Sequence, residues 1–395
     1  MSLVSTQVLP GRLNSLLSIK NMILVDTFEK HRSEPEKTLE AYTRDIRLSL
    51  GREIAECKKI YLDTKYWLLL RDAAIGRQRD KDITELVGVL QSGVQKRKSI
   101  CPISQDIFAE VLNQSDEETL SETISLIDLL SRGISILSEQ ERIGFETLYF
   151  IQRTIRGEDS VHSPDALVWT KLAYVLGTVH PTSMLFSPQE ELTIQKAFFD
   201  QMWTISLSQM IDIMGKEAIS KMPRLSDLSN ILNEGKIRYA HENNSFKKLF
   251  LSELAGALDL CVPIFEDIMI YLFEKEQGYN PTVSEVDSSK AGRQIANAVY
   301  NLFRKNRLQS YFPTLVIGAG LHAAARWDLK RKFRKNDLHD FQHAQAALPY
   351  FDFFFTEHNL RDLVTRSHVA FDKKYACEVL SYPNEALKRA KEICS

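Results

Sequence analysis

The chain has 395 residues, 44% hydrophobic and 26% charged, with a formal net charge of −2, the composition of an ordinary folded soluble protein. The near-neutral balance means that any nucleic-acid surface must come from local clustering. Five scattered cysteines (Cys57, Cys101, Cys261, Cys377, Cys394) form no Cys-x-x-Cys pair, which excludes a zinc ribbon and argues for a reducing compartment. The length admits two or three domains, or one domain with a large insertion. The opening MSLVSTQVLPGRLNSLLSIK lacks the basic start and long apolar core of a secretory signal. The apolar run Leu254 to Phe265 is broken by Asp259 and is too short to span a bilayer. A soluble, cytoplasmic protein is expected.

Residues 1–57 read as helical, with Leu13, Leu16, Leu17 and Ile23 on one face and charges recurring through Glu40, Arg44, Arg47, Arg52 and Glu53. Nothing there has catalytic spacing. Lys59 to Asp63 (KIYLD) is a compact strand signal ending in an acid. Thr64 and Lys65 follow, and an apolar helix begins at Tyr66. An isolated Asp in this position commonly just caps the next helix, so Asp63 carries a plain reading beside a functional one. Asp72 to Asp82 is a polar loop, and Ile83 to Gln95 an amphipathic helix with a basic end at Lys96 to Lys98. Ser99 to Ile103 is a second short strand. Ser104 caps a helix running to about Asn113, on which Glu110 lies beside the apolar face of Ile107, Phe108 and Val111.

From Ser115 to about Ser310 the pattern predicts helices alone, over residues 117–156, 164–177, 187–233, 246–276 and 285–308. Breakers such as Gly157-Glu158-Asp159 and Gly278-Tyr279-Asn280-Pro281 separate them. No internal period supports a repeat solenoid, and Trp169, Trp203 and Tyr271 recur as core positions. A further helix is expected over Thr314 to Phe333. Its last turns carry Arg326, Lys330, Arg331 and Lys332, and the basic run continues through Arg334 and Lys335. Such a run is most often a solvated face. Here it leads into acids, where a polyanion would meet both.

Asn336 to Glu357 reads as a short helix, a stop at Pro349, a buried strand over Phe351 to Phe355, and an acid at the strand end. Asn336 is the expected N-cap. Asp337 and Asp340, three apart, share one helix face. Ala344, Ala346 and Ala347 admit close approach of another backbone. Glu357 falls just past the carboxyl end of its strand, where open α/β sheets place their sites. Tyr375 to Ser381 is a further strand and Asn384 to Ile393 a closing helix.

The segments IYLDTKYW (Ile60 to Trp67), PISQDIFAEVL (Pro102 to Leu112), NDLHDFQHAQAALPY (Asn336 to Tyr350) and FDFFFTE (Phe351 to Glu357) resemble a PIN-like nuclease. The resemblance covers about 140 residues in two pieces. It implies an α/β fold: a small parallel-sheet core with helices on both faces, mostly α overall because a large all-helical insertion interrupts it. The implied organisation is an N-terminal helical segment (1–57), the first half of the core (58–114), the insertion (115–310) and the second half of the core (311–395). By motif position the family's metal-binding acids match Asp63, Glu110, Asp340 and Glu357. The family's last acid is usually an Asp one or two residues past the Thr, whereas this chain has Glu357 there, with Asp352 earlier in the strand.

The resemblance implies a metal-dependent nuclease cutting RNA more readily than DNA, with Mg²⁺ or Mn²⁺ held by Asp63, Glu110, Asp340 and Glu357 and with Asp337 as a fifth acid. Hard divalent cations suit such carboxylates together with water and phosphate oxygens. Thr64, Thr356 and Asp352 are supporting candidates; Lys65, Arg326, Lys330, Arg331, Arg334 and Lys335 are candidates for phosphate contact. By analogy, a nuclease core with a large private helical module suits a toxin or antiviral-defence effector whose insertion meets a protein partner or a second copy. Two alternatives stand beside this. One is a PIN-like interaction scaffold that has lost activity. The other is an HD-type phosphohydrolase using His339-Asp340 with His322, an all-helical fold that leaves the strands at Lys59 and Phe351 unexplained.

Overall fold

The computed structural model describes residues 24–220, 227–242, 244–279, 281–282, 284–286, 290–306 and 310–394. Leu13, Leu16, Leu17 and Ile23, expected on one helix face, lie outside the described residues. The protein is mostly helical around a small four-stranded parallel sheet. Among the described residues no helix is long and apolar enough to cross a membrane.

The sheet consists of β1 (Lys58–Leu62), β2 (Ser99–Ile100), β5 (Phe353–Phe355) and β6 (Glu378–Leu380), in the order β2-β1-β5-β6. All three pairings are parallel. Ile60, Tyr61, Leu62, Phe354 and Phe355 are fully buried, as expected of strands that shed the polar alternation of a half-exposed sheet. The connection leaving β1 runs to one side of the sheet and the connection leaving β5 runs to the other. The boundary between β1 and β5 is therefore a topological switch point, the place where open α/β sheets characteristically set their ligand crevice, outside the carboxyl ends of the strands.

The helix Lys81–Gln95 packs against the closing helix Pro383–Cys394. A Cβ added at Gly93 would lie 2.2 Å from Cys394 Sγ, so the two helices meet where only glycine fits. The helix Asp337–Tyr350 packs against Pro313–Trp327 and Gln105–Val111 and leads into β5.

The expectation of an all-helical stretch from 115 to 310 is corrected. β3 (Ile134–Ile136) and β4 (Trp169–Lys171) pair antiparallel, and an Ile103–Ser135 bridge ties them to the segment after β2. The helix read over 117–156 stops at Ser131, where Arg132 and Gly133 both adopt positive φ (52° and 71°). The chain then enters β3 before the helix Glu139–Phe150. Residues such as Ile127, Phe150, Phe265 and Phe303 join the same hydrophobic cluster as Leu62 and Phe355.

Three smaller expectations change. The strand Ser99–Ile103 is trimmed to two residues. Pro349 lies inside the last turn of its helix instead of ending it, and Asn336 occupies the cap position without a side-chain cap bond. The helix expected to reach Phe333 ends at Trp327, because Lys236 inserts its ammonium among the carbonyls of Ala325 (2.7 Å), Asp328 and Arg331. Most of the basic run therefore lies on a loop.

Candidate active site at the strand switch point

The register Leu62↔Phe355 sets Asp63 beside Thr356, and the Asp63 N–H donates to Phe355 O (3.0 Å). Asp63 is the N-cap of the helix Thr64–Ala74 and accepts from the Tyr66 N–H at 3.0 Å, so the capping reading of this acid is realised. The Thr356 hydroxyl also bonds the Asp63 carboxylate. Burial pushes Asp63 up to about 6 and the charge of Glu357 adds to the rise; the Tyr66 N–H, His343 and Thr356 oppose it.

Asp340 enters from the first turn of Asp337–Tyr350. Burial pushes it up to about 7, with Asp63, Glu357 and Asp337 adding repulsion and His343 opposing them. Glu357 occupies the cap position of the helix His358–Thr365, but its side chain is not used in capping. Among the described residues the side chains of Asp340 and Glu357 hold no hydrogen bond or ion pair. Three acids from three elements thus share one field, and two of them are driven towards neutrality.

Glu110 is set apart from these three. It accepts from the Thr64 hydroxyl and faces His343 Nε2 at 2.9 Å and His339 Nδ1 at 3.9 Å. Burial works to raise it, but His343, Thr64 and His339 together hold it below the usual carboxylate range. On its other side His343 Nδ1 lies 2.8 Å from the Tyr61 hydroxyl, which lies 2.7 Å from Ser104 Oγ. Burial alone would lower His343; its bond to Glu110 and the charges of Glu110, Asp106 and Asp63 lift it to about 9. His343 thus bonds Glu110 directly and acts on Asp63 and Asp340 through its charge.

The Ser104–Tyr61–His343–Glu110 chain is what the sequence reading missed. Its one sequence signal is that His343 follows Asp340 by three residues on the same helix, the spacing that also linked Asp337 to Asp340.

Other expected residues lie elsewhere. Asp337, read as a fifth acid, is instead buried in a bidentate pair with Arg331 (2.7 Å for both bonds), and it also accepts from the Arg334 N–H at 2.9 Å. Asp352, read as supporting, sits at the amino end of β5, where it accepts from the Lys59 N–H (2.9 Å) and Lys58 Nζ (3.0 Å), a strand length from Glu357. Arg326 is paired with Glu253, so it is not a free phosphate contact. Lys65, Lys330, Arg334 and Lys335 are exposed. His322 stacks edge-on against Phe341 (5.0 Å) and lines a cleft with Arg326 and Gln345, so the ligand set of the HD reading is not assembled.

Among the described residues no three His, Cys, Asp or Glu side chains are gathered closely enough to hold an ion. Compared with protein-family models, curated proteins and solved structures, the chain matches none.

Proposed function

We propose that this chain is a metal-dependent nuclease, an endoribonuclease that hydrolyses RNA with Mg²⁺ or Mn²⁺. One observation carries the reading: Asp63 and Glu357 at the carboxyl ends of β1 and β5 and Asp340 on the first turn of the neighbouring helix act on one another electrostatically, at the end of the sheet where open α/β folds carry out their chemistry. The donor set fits a hard divalent cation. It consists of carboxylate oxygens, Asp63 is buried while Asp340 and Glu357 keep partial access to solvent, and Asp63 and Asp340 are costly to ionise without added positive charge. Asp63, Asp340 and Glu357 would hold the ion, with Glu110 beside them. When bound, the ion supplies charge neutralisation and an activated water.

The chain's own residues contribute the rest. Thr356 and the Tyr66 N–H fix the Asp63 carboxylate. Thr64 and His343 orient Glu110. The exposed Lys330, Arg334 and Lys335, on the loop leading into the Asp340 helix, offer a phosphate track. A cell-killing or antiviral role would follow from RNA cleavage held in check by a partner of the helical region.

The competing reading, a PIN-like interaction scaffold without activity, is favoured by the spread of the acids, since no three stand close enough to share an ion. Incubating the protein with single-stranded RNA, tRNA and DNA in Mg²⁺ or Mn²⁺ separates the two. Cleavage that EDTA abolishes and Asp340→Asn removes supports the nuclease. Metal-independent cleavage, or cleavage unchanged in the variant, rejects it.

A further inference from the structure

A cavity of about 730 Å³ lies apart from the acids at the strand ends. It lies between the helices Glu139–Phe150, Phe246–Leu260, Pro313–Trp327 and Asp337–Tyr350. Its size is that of a small-molecule site. The walls are apolar, from Ile143, Leu232, Ile264, Leu315 and Phe341, and the floor carries Glu139 and Gln345.

The charges on this lining do not balance. Among its described residues the acids are Glu139 and Glu253, and the cation Arg326 is engaged by Glu253. Burial pushes His322 down, so it stays neutral. That leaves Glu139. Its carboxylate takes one hydrogen bond, from Gln345 Nε2 at 3.1 Å. A carboxylate has room for about four donors. The nearest helix cation, Arg142, is fully buried and directs Nη1 to Leu137 O instead (2.7 Å). Burial works hardest against an ionised Glu139 and the charge of Asp106 adds to it, while the charge of Arg142 and the Gln345 amide offset them only in part, so the carboxyl is held above its ordinary range with one hydrogen bond made.

We propose that this cleft binds a small organic cation: an apolar body against Phe341, Leu315 and Ile264, with a protonated amine, amidine or guanidinium on Glu139. An amidine or guanidinium matches a carboxylate with two parallel N–H bonds. A phosphorylated ligand is disfavoured by the same charge pattern. The ligand would lie against the face of the helix Asp337–Tyr350 that points away from Asp340, because Leu338, Phe341, Gln342 and Gln345 recur at helical spacing there.

Benzamidine and benzamide have nearly the same shape and differ in charge, so they isolate the role of Glu139. Saturation-transfer NMR on the full chain, with phenethylamine as a second cation, is expected to show benzamidine bound at least about ten-fold more tightly than benzamide, the worth of one charge-assisted pair. Glu139→Gln should bring that ratio close to one. Gly256→Phe should abolish binding of both cations, since a side chain at Gly256 enters open space within the cleft and need not disturb the fold. Equal binding of benzamide and benzamidine, no binding of either cation, or binding unaffected by Gly256→Phe would overturn the proposal. None of these outcomes depends on nuclease activity.

Discussion

One helix, Asp337–Tyr350, presents two unlike faces. Asp340, His343, Ala344 and Ala347 share one of them, and it meets β1, Glu110 and the strand ends. Leu338, Phe341, Gln342 and Gln345 share the other, which lines an open cleft. Both sets follow the i, i+3, i+4, i+7 spacing of a helix face. The first face is closely packed; burial, with the neighbouring acids adding to it, pushes Asp340 up to about 7, while the bond to Glu110 and the charges of the acids lift His343 to about 9 against its own burial. The second is roomy; its own polar groups, Gln342 and Gln345, are amides, and across the cleft stand the Glu253–Arg326 pair, His322 and the under-bonded carboxylate of Glu139. Charge crowded into a closely packed space suits binding and activating an ion; a largely apolar space with one under-bonded carboxylate suits holding a ligand.

The sharpest way to break this contrast is to neutralise one group on each face. Asp340→Asn should lower metal-dependent RNA cleavage by about 1000-fold, roughly 4 kcal/mol of barrier, whereas Gln342→Ala should leave the rate within about three-fold. Initial rates at saturating Mn²⁺ measure both. Equal losses would show that the two faces do not divide the work.

Stability separates the faces next. His343→Ala removes the shared partner of Tyr61 and Glu110 inside the core, and should cost about 3 kcal/mol. Gln345→Ala removes bonds to Glu139 and Thr314 O at the edge of a cavity, and should cost about 1 kcal/mol. Urea denaturation at pH 7 gives both values.

A third test falls where the helix ends. The Tyr350 hydroxyl donates to Glu146 Oε1 (2.6 Å), as do the Thr314 N–H and hydroxyl, while Glu146 Oε2 has no partner. Burial lifts Glu146 to about 7 against the opposing pull of Thr314, Tyr350 and Arg142. The folded-state value is raised, so the native state holds the extra proton. Its contribution is complete below about pH 4.5 and is lost as pH rises through about 7. Glu146→Gln should match wild type at pH 4.5 and exceed it by about 2 kcal/mol at pH 8. Paired denaturation curves at the two pH values check the sign.

Much of the acid face was legible because strands ending in acids and two Asp residues one turn apart at a helix start are local patterns. Asp63, Asp340 and Glu357 could be named from KIYLD, HDFQH and FFFTE alone. The diversion of Asp337 was not legible, since Arg331 becomes its bidentate partner only after the preceding helix stops at Trp327. That stop is imposed by Lys236, about ninety residues upstream, and helical periodicity carries no trace of it. β3 and β4 escaped for a related reason. Each is three residues long, both are largely buried and both are flanked by helices, so neither shows a two-residue alternation against its surroundings. The segregation of Glu110 from the other acids depends on a histidine 233 residues away.

Asp337 and Asp340 stand one helical turn apart, and only their partners distinguish them. The most direct test of the account is thermal denaturation of wild type, Asp337→Asn and Asp340→Asn with and without millimolar Mn²⁺. The account predicts that Mn²⁺ raises the Tm of wild type and of the intrinsically less stable Asp337→Asn, and that Asp340→Asn shows no Mn²⁺ shift. An Mn²⁺ shift retained in Asp340→Asn, or absent from wild type, would contradict a metal site at the β1–β5 switch point.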